Sequence, residues 1–120
     1  MNDLSQSPVY TLENIHDGPI NCMAFESNQK YLFTGSQDGT IKMWHRSDFK
    51  MPKNILPIYT LADPFAPKKP ILAMKIIADN HHLFAAGEDG SIRVYNIKRL
   101  MNGFINRDIV YNKYFKNFSR

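Results

Sequence analysis

The side chains that could do chemistry are four histidines, one cysteine and a scatter of acidic residues. A metal site needs several such ligands converging at a suitable spacing. His16, His45, His81 and His82 show no such spacing. His81 and His82 are neighbours in a turn-like stretch, and alternation along extended backbone would point them apart. They read as surface turn residues, and neither a metal nor a cofactor is expected. Glu88-Asp89 is a carboxylate pair in sequence only, since Asp89 belongs to an Asp-Gly turn and Glu88 is expected to face solvent. Gly35, Gly39, Gly87 and Gly90 do not make a phosphate loop, because GxxxxGK[ST] is absent. G-x-S-x-G and H-E-x-x-H are absent too. His16 and Asp38 could trade a proton, but no nucleophile accompanies them. The expectation is that the chain is not an enzyme.

The elements that would position these residues come from an internal repeat. Two stretches align without a gap at an offset of 51. Pro19-Ile20 matches Pro70-Ile71, and Leu32-Phe33 matches Leu83-Phe84. Asp38-Gly39-Thr40-Ile41-Lys42-Met43-Trp44 matches Asp89-Gly90-Ser91-Ile92-Arg93-Val94-Tyr95. Ahead of each stretch, residues 8–12 (PVYTL) resemble residues 57–61 (PIYTL) at an offset of 49. A connecting loop can absorb the two-residue slip.

Each unit reads as short strands separated by turns. In the first, strands are expected at Ile20–Phe25, Tyr31–Gly35, Ile41–Trp44 and Asn54–Leu61. In the second they are expected at Ile71–Ile77, His82–Ala86, Ser91–Tyr95 and, less clearly, Asp108–Phe115. The Asp-Gly pairs favour tight hairpins, because glycine tolerates positive φ. The connectors are polar at 46–53 and proline-rich at 62–70, where Pro64, Pro67 and Pro70 cannot donate to a ladder. No long, well-capped helix is evident.

Residues 15–20 (IHDGPI) and 31–44 (YLFTGSQDGTIKMW) together resemble a WD repeat. The resemblance covers roughly residues 8–97. It implies an all-β fold of two antiparallel four-stranded propeller blades, an incomplete propeller rather than a closed one. Residues 1–61 would hold an N-terminal closing strand and the first blade. Residues 62–97 would hold a degenerate second blade, and 98–120 a basic aromatic tail. In the family, His16, Thr34, Asp38 and Trp44 would form a buried tetrad, with Ile15 standing where the family has glycine. Trp donates only, Asp accepts only, and His and Thr do both, so such a chain can be fully satisfied. In the second blade Pro67 stands near the His position, Ala85 replaces Thr and Tyr95 replaces Trp. Without a tetrad, that blade should rest on apolar packing and its Asp89-Gly90 turn, and should be the less stable.

Hydrophobic residues make up 43% and charged residues 22%, which is a globular composition. No apolar run approaches the roughly 20 residues of a membrane helix, so membrane insertion is not expected. A lone Cys22 leaves no intrachain disulfide framework and suits a reducing compartment, cytoplasmic or nuclear. Net charge is +4, concentrated toward the C-terminus. There Arg107, Tyr111, Lys113, Tyr114, Phe115 and Lys116 interleave basic and aromatic side chains. They suit a last outer strand, a partner-docking segment, or contact with nucleic acid through stacking and phosphate pairing.

Two blades fall short of the about three repeat units that a stable stack needs. The chain is therefore expected to be part of a longer propeller, to complete one with another protein, or to associate with itself. What the family resemblance implies is a scaffold subunit that mediates protein–protein assembly. Its partner-binding face would carry Asp17, Gly18 and Gln37 from the first blade and Lys68, Lys69 and Glu88 from the second. The alternative is a ribonucleoprotein-associated subunit that uses the basic tail.

Overall fold

The structure, a computed structural model, describes residues 7–50, 55–62, 69–77 and 81–102. The first sheet has strands β1 (Ile20–Phe25), β2 (Tyr31–Ser36), β3 (Ile41–His45) and β4 (Tyr59–Leu61) in the antiparallel order β1-β2-β3-β4. The second has β5 (Ile71–Ile76), β6 (His82–Gly87) and β7 (Ile92–Asn96) in the order β5-β6-β7. These strands are rich in β-branched and aromatic residues, which fit a pleated, half-buried surface. Among the described residues no helix is long and apolar enough to cross a membrane.

The sequence repeat recurs bond by bond. Gln37 N–H donates to the Pro19 carbonyl, and Glu88 N–H to that of Pro70, both at 2.9 Å. Arg46 N–H donates to Lys30 O at 2.7 Å and Ile97 N–H to His81 O at 2.8 Å. A register shift interrupts the first pairing of each sheet, between Ile20 and Cys22 and again between Ile71 and Ala73. The Asp-Gly hairpins also match. Gly39 N–H donates to Ser36 O and Gly90 N–H to Gly87 O, with both glycines at a φ of 85°. These are three-residue hairpin loops, which need a left-handed residue where the glycine sits.

Strand register divides the first sheet into two faces. Cys22, Phe33, Gly35, Ile41 and Met43 share one, while Met23, Phe25, Leu32, Thr34, Lys42 and Trp44 share the other. The first face packs on the second sheet. Phe33, Ile41, Met43, Tyr59 and Leu61 join Ile71, Leu83, Ala85 and Tyr95 in one buried core. Each large side chain so buried contributes roughly 1.5–3 kcal/mol. The sheets also touch through hydrogen bonding, since Asn21 Nδ2 donates to Ile71 O at 3.0 Å.

Four segments differ from the sequence expectation. Ahead of β1, residues 7–19 form no strand, where a closing strand was expected toward the N-terminus. β4 begins at Tyr59 rather than Asn54; Asn54 itself lies outside the described residues. Pro57 has no N–H to donate and Leu56 is 78% exposed, so pairing starts only where Ile58 N–H reaches Met43 O at 2.7 Å. The connector after β3 stays polar but winds a 3-10 turn over Arg46–Lys50. The start of the tail is a short helix, α1 (Ile97–Asn102), with Ile97 and Leu100 in the core. Asn96 Oδ1 caps it by accepting Arg99 N–H at 3.0 Å. The expected strand Asp108–Phe115 lies outside the described residues, among which the second sheet has three strands.

At Gly35 the first sheet lies directly against Ile71 of the second. A Cβ there would stand 2.7 Å from Cys22 Sγ and 2.8 Å from Ile71 Cγ2. Gly35→Ala is expected to destabilise the fold by about 1–3 kcal/mol in denaturant melts, as overpacking does. Adding Cys22→Ala removes the sulfur and should recover part of that loss. A neutral Gly35→Ala would contradict the close approach of the sheets.

Candidate functional site

The polar network of the first blade is built on β2 and β3 and closed by the loop before β1. Thr34, at the centre of β2, is its hub. Trp44 Nε1–H donates to Thr34 Oγ1 at 2.8 Å, and His16 Nε2 lies 2.8 Å from the same oxygen. Trp can only donate, so the Thr34 hydroxyl accepts from it and has its own proton to give to His16 Nε2. That assigns the imidazole proton to Nδ1, which lies 3.1 Å from both Asp38 Oδ2 and Thr40 Oγ1. Thr34 is 2% exposed, Trp44 1% and His16 9%. The structure thus brings together His16, Thr34, Asp38 and Trp44, of which His16 and Trp44 lie 28 positions apart in sequence.

Asp38 ties this chain to the turn. It accepts the Thr40 hydroxyl at 2.6 Å, the Thr40 amide at 2.8 Å and the Asp17 amide at 3.0 Å. Partial burial pushes the Asp38 carboxyl up. The bonds from Thr40, the Asp17 amide and His16 outweigh that and hold it down at about 2. An acceptor saturated in this way positions a loop; it is a poor proton carrier at neutral pH.

Sequence reasoning passed over three further members of the network. Ser36 Oγ accepts the Asp38 amide at 3.0 Å and donates toward the Pro19 carbonyl at 2.9 Å. Lys42 Nζ donates to the Ile15 carbonyl at 2.8 Å and so pins the loop that carries His16. Thr40 does the work described above. Thr40 and Lys42 were visible as repeat-matched positions, with Ser91 and Arg93 as counterparts. Ser36 had no such marker, because Gly87 stands at its match.

The second blade has kept the turn and replaced the tetrad. Asp89 accepts the Ser91 amide at 3.0 Å and hydroxyl at 2.6 Å, as Asp38 does with Thr40. Arg93 supplies the positive partner, with Nη2 at 3.0 Å from Asp89 Oδ2. The Arg93 guanidinium and the Ser91 hydroxyl and amide hold the Asp89 carboxyl well below the usual range. Ala85 is buried in the core, and Pro67 lies outside the described residues.

The remaining residues singled out by type and spacing divide plainly. Asp17, Gln37, Lys69 and Glu88 are exposed or partly so, and Gly18 is half-buried. Lys68, Arg107, Tyr111, Lys113, Tyr114, Phe115 and Lys116 lie outside the described residues. His45 stacks edge-on against Tyr31 and accepts the Ser47 amide. His81 is exposed and His82 opens β6, so the pair straddles a strand start rather than lying wholly in a turn. Among the described residues no three of the His, Cys, Asp and Glu side chains are grouped to hold a metal. Burial pushes the Cys22 thiol up, against the lowering effect of its Gly35 backbone contact.

Comparison with known proteins agrees with this architecture. The family model described as WD domain, G-beta repeat matches residues 6–45 and 57–96. The chain is 31% identical over 93 residues to the WD repeat-containing protein 55 homolog of Dictyostelium discoideum, covering 78% of this chain and 20% of that protein. It is 32% identical over 95 residues to striatin of Homo sapiens, covering 75% of this chain and 12% of that protein. It therefore spans a small part of the relatives it matches. Among solved structures, the WD40 repeats of RRP9 superpose with a TM-score of 0.58 at 17% identity, over 68% of this chain and 23% of the other. At that identity the likeness concerns the fold.

Thr34→Val keeps the shape and removes the hub. It leaves the Trp44 indole N–H and His16 Nε2 buried without partners, which should cost about 1–3 kcal/mol in thermal or denaturant melts. Acid should act through the two turn aspartates. Both have folded-state values depressed below the ordinary 3.8, so their stabilisation is full above that value. For Asp38 it is lost as pH falls toward about 2. The melting temperature is expected to drop across that window, and Asp38→Asn should flatten the drop while lowering the plateau. A pH-independent melting temperature there would contradict the hydrogen-bond assignments.

Proposed function

The chain belongs to the WD40 family, the WD domain, G-beta repeat, and from that premise we propose that it is a non-catalytic interaction subunit that binds other proteins. Members of this family are in general protein-interaction scaffolds. The observation that carries the reading is the shared end of the two blades. There the β2–β3 and β6–β7 hairpins are each tied by a backbone hydrogen bond to the segment entering the first strand of their sheet. Asp17, Gln37, Lys69 and Glu88 stand on or beside these ties. Side chains presented on a rigid backbone lose less entropy when a partner is bound. Asp17, Gly18, Gln37, Lys69 and Glu88 are the contact residues of this proposal, with Lys68 as a further member.

In this reading residues 1–61 are an N-terminal segment and the first blade, 62–97 the second blade, and 98–120 a tail whose first residues form α1 against the core. The chain works in a cytoplasmic or nuclear assembly, in keeping with its lone Cys22.

The test is a binding series on the stoichiometric protein partner that co-purifies with the chain. Asp17→Lys combined with Glu88→Lys should weaken that binding at least about tenfold, by reversing charge at a rim. The melting temperature should hardly change. Unchanged affinity across substitutions at all these positions would reject this face.

A further inference from the structure

The contact between the two blades is directional: one face of the first meets the opposite face of the second. Among the described residues each blade therefore has one face in use and one left over. Repeat register shows what the leftover faces are. On the second blade the unused face carries Ala73, Phe84, Ala86, Ile92 and Val94. At an offset of 51 these match Cys22, Phe33, Gly35, Ile41 and Met43, the face with which the first blade packs on the second. All five have stayed apolar or small, although the first blade packs on the other side. Phe84 is 38% exposed and Ile92 68%. The tightest spot has changed in a compensating way. Where Gly35 makes room for the Cys22 sulfur, Ala86 sits across from Ala73, and the sulfur is gone. One charge intrudes, Lys75 at the position of Ala24. Its stem can lie along the apolar face with its ammonium in water.

The first blade shows the complementary half. Met23 and Phe25 match Met74 and Ile76, which pack against the core from the second blade. Met23 is 65% exposed, Phe25 44% and Ile20 46%. Leu32 and Trp44, farther along that face, are already covered within the chain. The open portion is thus the strip along β1.

We propose that these two faces bind each other between copies of the chain: the Met23–Phe25 strip of one copy packs on the Phe84–Ile92 face of the next, head to tail. The contact continues the series that the blade-on-blade interface begins inside each chain. A heterologous contact of this kind builds rings if its rotation closes and open strings if it does not. The proposal deepens the interaction-subunit reading by naming one partner as a second copy. It uses the sheet faces and leaves the loop-bearing end free, so the two can fail separately.

The experiment is sedimentation velocity on the full chain over a wide concentration range. The mass should rise with concentration. Met23→Asp and Ile92→Asp lie at the most exposed point of each face and should leave the circular dichroism spectrum and melt nearly unchanged. Either alone should raise the dissociation constant at least about tenfold, because a carboxylate would have to be desolvated in an apolar contact. Mixing the two variants is decisive. Each keeps the face the other has lost, so the mixture should form a one-to-one dimer that neither forms alone. A chain that stays monomeric throughout overturns the proposal and leaves the faces to a different protein. So does a mixture that fails to pair while the wild type self-associates, since the copies would then meet through other surfaces. Asp17→Lys with Glu88→Lys should self-associate like the wild type.

Discussion

A small sheet has two faces, and one neighbour can cover only one of them. That constraint governs this molecule. Four short strands cannot bury their own side chains, so the first blade is stable only where Phe33, Ile41 and Met43 press on Ile71, Leu83 and Tyr95. The approach is close enough to exclude any side chain at Gly35. The rest follows from that contact. The Asn21 bond across it, the closure of the core by α1 and the exposure of Met23 and Ile92 all depend on which faces were used.

Polar groups play a different part in the two blades. In the first, Trp44, Thr34, His16 and Asp38 form a chain in which every donor has an acceptor, so register, turn and loop are fixed together. A half-satisfied network would be worse than an apolar one. The second blade avoids that state by losing the buried members at once: Ala85 and Tyr95 stand where a hydroxyl and an indole would be. Asp89 survives because its work is local, and Arg93 takes the role of the charged partner at the surface. The turn is thus the unit both blades share, and the buried tetrad is an addition to it.

Much of this could be read from the residues. The offset of 51 marked out the strands, the hairpins and the equivalence of faces, because hydrogen-bond patterns follow the backbone and repeat with it. What escaped was set by neighbours in space. Ser36 acts through a carbonyl 17 residues away, and Lys42 through one 27 residues away. Neither type nor spacing marks such partners. The capped start of α1 was legible in principle, as Asn96 precedes a run of helix formers. At six residues it is too short to show the periodic apolar pattern of a long helix. β4 proved shorter than its apolar pattern because Pro57 has no proton to give.

The central claim is that the leftover faces are two halves of one contact, each complementary to the other and neither complementary to itself. Methyl resonances followed by NMR on dilution of the full chain test it most directly. The account predicts that signals of Met23 on the first blade and Ile92 on the second shift together, along one concentration curve, while Met43 and Leu83 in the core stay put. Shifts confined to one of the two faces would mean that like packs on like. That result, or no shift at any concentration, would contradict it.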